Sequence, residues 1–259
     1  MPETSLSSYY NQRVKQVYNH LLEFDLSSSE NSLHDFRVEI KKMKAIMKFL
    51  KSVYPKQKLK KSTRQLNSIF QEAGEIREYQ LLILWFQKHD LTIFIEKTFP
   101  NKTLEEMIEK FHKKVHEFKH DLKDLNEHVS EYIFKTNGIL AEQYVTDLSV
   151  QIETIIRKNC PMSEWHELRK IIKQWMYAIN WIENGIGTDI SFFQKLQEAI
   201  GYWHDAQVIK ETLFQKKIFL SEDVELQKSF SIATEKLNQS LKYRERQIQE
   251  LLSRKEIAA

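Results

Sequence analysis

His34-Asp35-Phe36-Arg37-Val38-Glu39-Ile40-Lys41-Lys42-Met43-Lys44 decides how the chain is read. At about 100° per residue, His34, Arg37, Lys41, Lys44 and Lys48 fall inside an arc of about 80°. Phe36, Ile40, Met43, Met47 and Leu50 form a separate, mostly apolar face. An ordinary surface helix hides one apolar face and scatters its charges over the rest. Here the cations are collected into one stripe beside the face that must be buried. The plain alternative for Lys41, Lys42, Lys44, Lys48 and Lys51 is a solvated helix face, and for one helix alone that reading would stand.

The stretch comes back as His166-Glu167-Leu168-Arg169-Lys170-Ile171-Ile172-Lys173-Gln174-Trp175-Met176. Each copy reads His, acid, apolar, Arg, with a Lys four residues after the Arg. A second correspondence follows each copy. Gly74-Glu75-Ile76-Arg77-Glu78-Tyr79-Gln80 aligns with Gly201-Tyr202-Trp203-His204-Asp205-Ala206-Gln207, which makes Arg77 and His204 equivalent. These two either face the same groove as the stripe or pair with neighbouring acids such as Glu78 and Asp205. Arg64 and Lys195 are weaker candidates for that groove.

Outward from the motifs, the pattern is helical throughout. Apolar spacing predicts helices over 6–24, from the polar break at Ser27–Asn31 to Tyr54-Pro55, and over 57–89 with a kink or close approach at Gly74. Residues 91–99 are read as a short helix or irregular chain, and a long polar helix spans 103–134. After the Asn137-Gly138 break come helices over 139–158, from a Ser163 N-cap to about Asn184, over 190–219, and over 222–254. Gly185 and Gly187 form a flexible link. The same element order in both halves, 6–135 and 138–254, suggests two related helical bundles about a pseudo-twofold axis.

Composition bounds the rest. The 259 residues include 5 Gly and 4 Pro, which disfavours an all-β fold, and 41% hydrophobic residues support a core. The net charge is only +3, so attraction to nucleic acid is weak and any anion binding rests on local clustering. One cysteine, Cys160, excludes an internal disulfide and reads as a small buried side chain. There is no membrane span and no secretory signal, so the expected location is the cytoplasm.

The doubled His-x-x-Arg-x-x-x-Lys set, each copy followed by a Gly-x-x-[Arg/His]-[Asp/Glu] segment, resembles the CHAD family of α-helical domains. The resemblance covers nearly the whole chain, 1–259, as a single domain. It implies an all-α fold of two four-helix bundles with a basic central groove or pore. It also implies binding of inorganic polyphosphate without catalysis, and polyphosphate granules as a site of association. The implied ligand residues are His34, Arg37, Lys41, Lys44, Lys48, Arg77, His166, Arg169, Lys173 and His204. No cofactor is implied, and the oligomeric state stays open. The Glu-x-Glu-x-Lys signature of the triphosphate-tunnel enzymes to which such domains are often fused is absent, so a stand-alone protein is expected.

Two departures stand out. The second stripe continues as Met176 and Asn180 where the first has Lys44 and Lys48, so the His34 side is expected to be the stronger wall. Glu78 replaces the usual Asp. Polyphosphate offers only charged oxygen acceptors, which Arg forks and Lys point charges on a rigid helix can meet. Trp165, Trp175, Trp181 and Trp203 fit core packing. His112, His116 and His120 share one helix face, but ends about 12 Å apart converge poorly on one ion. The competing readings are a metal-dependent phosphohydrolase that uses the histidines and a helical adaptor for nucleic acid or an acidic protein.

Overall fold

The computed structural model describes residues 5–98, 101–158, 160–182, 189–216 and 223–257. Gly185 and Gly187, together with Pro100 and Glu222, lie outside them. The elements in order are α1 (Ser5–Ser27), α2 (Glu30–Val53), a 3₁₀ turn (Lys56–Leu59), α3 (Lys60–Lys88), α4 (Thr92–Thr98), α5 (Asn101–Lys135) and α6 (Gly138–Arg157). After them come a second 3₁₀ turn (Met162–Glu164), α7 (Trp165–Ala178), a third (Ile179–Trp181), α8 (Ser191–Lys216) and α9 (Val224–Ile257). Among the described residues the fold is all helical, as the periodicity predicts, and α4 (Thr92–Thr98) makes the stretch read as a short helix or irregular chain helical as far as it is described.

Helix ends use polar residues in place of glycine. Ser28 adopts φ 51 and its N–H donates to the Phe24 carbonyl, so α1 closes on a left-handed serine. Asp90 plays the same part after α3 at φ 57, with Leu91 N–H donating to the Phe86 carbonyl and Asp90 N–H to the Gln87 carbonyl. The Asn137 side chain accepts from the Leu140 N–H, so Asn137-Gly138 starts a helix as well as breaking one. The expected Ser163 N-cap is corrected: Ser163 lies inside a 3₁₀ turn and α7 starts at Trp165. The expected continuation to Asn184 is also corrected. Helix α7 stops at Ala178, and the Asn180 side chain donates back to the Met176 carbonyl, satisfying a group that the continuing helix would have bonded.

Two compact units result. One comprises Met1–Leu81, Lys102–Asp147 and Met176–Thr188, and the other Leu82–Asn101, Leu148–Trp175 and Asp189–Ala259. In the first, α1, α2, α3 and α5 share a core. Phe36, Ile40, Met43, Met47 and Leu50 of α2 are all buried, so the predicted apolar face is the packed one. Phe111 of α5 meets Phe24 and Phe36 edge-on at 5.3 and 6.3 Å. On the side of α2 opposite the cation stripe, buried Glu39 accepts from Arg13 of α1 at 2.9 Å and from Lys42 at 2.6 Å. In the second unit, α7, α8 and α9 pack around Trp165 and Trp203, whose rings meet edge-on at 5.3 Å. Trp165, Trp175, Trp181 and Trp203 are all buried, as expected of core residues. Cys160 is buried as well, and burial pushes its thiol up to about 11, with Glu164 adding to the shift.

Candidate functional site

The first motif is built on the edge of α2 that faces α3. Arg37 lies across Gly74: a Cβ there would stand 2.6 Å from the guanidinium Nη1. Nη1 donates to the carbonyl of Phe70, four residues before the glycine, at 2.9 Å. The glycine is thus a close-approach position, which explains a helix-interior residue that costs about 1 kcal/mol relative to alanine. The second motif repeats the device. Arg169 lies across Gly201, where a Cβ would stand 3.0 Å from its Nη2, and its Nε donates to the Gln197 carbonyl, again four residues before the glycine, at 3.1 Å. Both predicted arginines therefore lock one helix to the next, a role the stripe alone does not reveal. Each bond uses one of a guanidinium's five N–H groups, so a ligand role is compatible with it.

Phe70, which spacing assigns only to an apolar position, is the hub of the first site. The Arg37 guanidinium sits 4.3 Å from its ring centroid, Lys44 Nζ 4.3 Å and Lys41 Nζ 5.9 Å. Three predicted cations thus gather over one half-buried ring that attracts positive charge through its face. Lys48 follows on the same edge, exposed. The equivalent of Phe70 in the second unit is Gln197, a buried amide that offers no such face. There Lys173 is half-buried on α7 and Met176 follows, so the second site carries less positive charge.

The histidines occupy matching places. His34 feels Arg77 of α3, and the His166 ring lies against that of His204 of α8, tilted by 38° with centroids 4.2 Å apart. Burial pulls the pKa of His34 below 6.5, with Arg77 next and Lys41 and Arg37 adding to it, while Asp35 opposes. Burial likewise lowers His166, followed by His204 and Lys170, and its Nδ1 is buried without a hydrogen-bond partner. Arg77 pairs with Glu30, the first residue of α2, rather than with Glu78. Lys44 is pulled down by burial and then by the charges of Arg37 and Lys51. Crowding of like charge is therefore the electrostatic character of this edge.

The weaker candidates part company. Arg64 lines a cleft with Lys51, whereas Lys195 lines a different one with Glu198, Arg244 and Glu250, on the α9 side of α8. The His112–His120 face does not act as a unit. His112 Nδ1 lies 3.0 Å from Asp25 and Nε2 3.0 Å from Ser28 Oγ, and its ring stacks on Phe24, so it anchors α5 to the end of α1. His116 and His120 are exposed. Among the described residues no three His, Cys, Asp or Glu side chains converge as a metal site, and no helix is long and apolar enough to cross a membrane.

Comparison with solved structures finds the crystal structure of the CHAD domain from the plant Ricinus communis. It shares 13% sequence identity, covers 97% of this chain and 92% of that chain, and superposes with a TM-score of 0.77. At that identity the likeness speaks for the fold alone. A search among curated proteins returns no match. The family profile described as CHAD domain matches residues 12–213, most of the sequence and both copies of the motif. The chain belongs to the CHAD domain family.

Proposed function

We propose that the chain binds inorganic polyphosphate, without turning it over, through the His–Arg–Lys edges of α2 and α7, with the α2 edge the stronger. The observation that supports this most is the gathering of Arg37, Lys41 and Lys44 over Phe70, where burial and then the Arg37 charge pull Lys44 down, and burial pulls Arg37 down against the opposing charge of Glu78. A polyanion relieves that crowding and fits cations placed at i, i+4 and i+7 on a rigid helix. Polyphosphate suits the site better than nucleic acid, because the edge offers charge and carries little that would read bases. On this reading the matched arginine–glycine contacts are the signature of two repeated halves, 6–135 and 138–254, each carrying one edge.

Because Arg37 and Arg169 also hold helices together, the cleaner site variant is Lys44→Glu with Lys48→Glu. Titration with long-chain polyphosphate is expected to show about tenfold or greater weakening in this variant, a loss of about 1.4 kcal/mol or more, at unchanged helical content by circular dichroism. Unchanged affinity would refute the site. Competition by DNA and RNA at matched charge should be weaker than by polyphosphate, and release of phosphate during incubation would overturn the non-catalytic part.

A further inference from the structure

The stripe on α2 does not end at Lys48. Lys51, in the last turn, leads into an open cleft of about 520 Å³ between the end of α2 and the start of α3. The volume lies inside the range of about 300–1,000 Å³ usual for ligand pockets. Its walls carry four cations, Lys51, Lys56, Lys60 and Arg64, with the amides of Gln57 and Asn67 beside them, and among the described residues no Asp or Glu. In a chain with 36 acidic residues against 39 basic ones, such a wall is a local concentration of charge. Lys51 is half-buried, and the other three cations are exposed.

Two further observations single the cleft out. Lys56 and Lys60 stand in the opening turns of the 3₁₀–α3 segment, where the helix dipole disfavours cations and favours bound anions. Like charge also runs without a break along the edge: Lys44 is depressed by Arg37 and Lys51, and Lys51 in turn by Lys56, after burial in each case. Arg37, Lys44 and Lys51 are spaced at i, i+7 and i+14, about 10 Å apart along α2.

We propose that this cleft is a distinct oligophosphate site at the end of the α2 edge, which takes the terminal phosphates of a polyphosphate chain. It rests on the polyphosphate reading for the long ligand, but its chemistry also suits a free short oligophosphate. The terminal group of such a chain carries a second, weakly acidic proton. Near neutral pH it therefore holds more negative charge than an interior phosphate, which suits a wall of four cations.

The test uses the full chain and two probes, tripolyphosphate and long-chain polyphosphate, in titrations at low salt. The cleft variant is Lys56→Gln with Lys60→Gln, both exposed. The comparison variant is Lys41→Gln with Lys48→Gln on the stripe. Tripolyphosphate is expected to bind the wild type and the stripe variant alike and to bind the cleft variant about tenfold more weakly, about 1.4 kcal/mol. Long-chain polyphosphate should weaken in both variants. Tripolyphosphate binding that is absent, or that ignores the cleft substitutions, overturns the cleft while leaving the long-chain reading intact. Absence of long-chain binding overturns that reading, and cleft-dependent tripolyphosphate binding would then stand for the short ligand alone.

Discussion

Replacing Gly74 by alanine isolates the arginine–glycine contact, because its two consequences have opposite signs. Alanine in a helix interior gains about 1 kcal/mol over glycine. At this position the new methyl would stand 2.6 Å from Arg37 Nη1, so the guanidinium must leave the Phe70 carbonyl and its place over the ring. A hydrogen bond to a charged group contributes about 1.5–3 kcal/mol and an exposed cation–π contact about 0.5–1 kcal/mol. Arg37 is only half-buried, and the Phe70 carbonyl keeps its helical partner, so a combined loss of about 2 kcal/mol is the reasonable figure. Gly74→Ala should therefore destabilise the wild type by about 1 kcal/mol and stabilise Arg37→Ala by about 1 kcal/mol, a coupling of about 2 kcal/mol. Urea unfolding of the four proteins, with constant m-values, measures all terms. An equal gain in both backgrounds would refute the close-approach explanation of the glycine. At Gly201 the nearest guanidinium atoms would be 3.0–3.3 Å away, so the same cycle with Arg169 should give coupling of the same sign and smaller size.

Glu39→Ala leaves the Arg13 guanidinium buried beside no carboxylate, and urea unfolding should register a loss of about 3 kcal/mol, the lower end for a broken buried pair. The histidines make stability and binding respond to pH in opposite directions. His34 and His166 have folded pKa values below the unfolded 6.5, so the unfolded chain binds more protons and the stability of the free protein falls as pH drops below about 6.5. A bound polyanion favours the protonated rings, so affinity for polyphosphate should rise over the same descent, with protons taken up on binding. Calorimetry in buffers of different ionisation enthalpy checks the uptake, and His34→Gln with His166→Gln should abolish most of it.

The stripe and its buried neighbour face were legible because both depend on a single helix period. Phe36, Ile40, Met43, Met47 and Leu50 are buried as a set, and Arg37, Lys41 and Lys44 meet over one ring. What spacing misses is what lies across from a side chain. Phe70 reads as one more apolar position until Arg37 is seen upon it, although a glycine four residues later signals that something large comes close. Arg77 reads as a groove cation or a partner of Glu78, yet its acid is Glu30, 47 residues earlier in the chain. Apolar residues Ile179, Trp181 and Ile182 continue the period of α7 past its real end, which the Asn180 side chain marks by taking up a backbone carbonyl. Lys51, Lys56 and Lys60 belong to different elements, so no single period groups them; the turn at Tyr54-Pro55 brings them to one cleft.

The salt dependence of binding tests the central claim most directly. If Arg37, Lys41, Lys44, Lys48, Arg169 and Lys173 each displace counterions from polyphosphate, at about 0.7 per contact as for single-stranded nucleic acid, the logarithmic slope should be about −4. Raising salt fourfold should then weaken affinity roughly 300-fold. A slope of that order, reduced in Lys44→Glu with Lys48→Glu, is the expected result. Absence of binding at low salt, or binding indifferent to salt, would contradict recognition of polyphosphate by these helices.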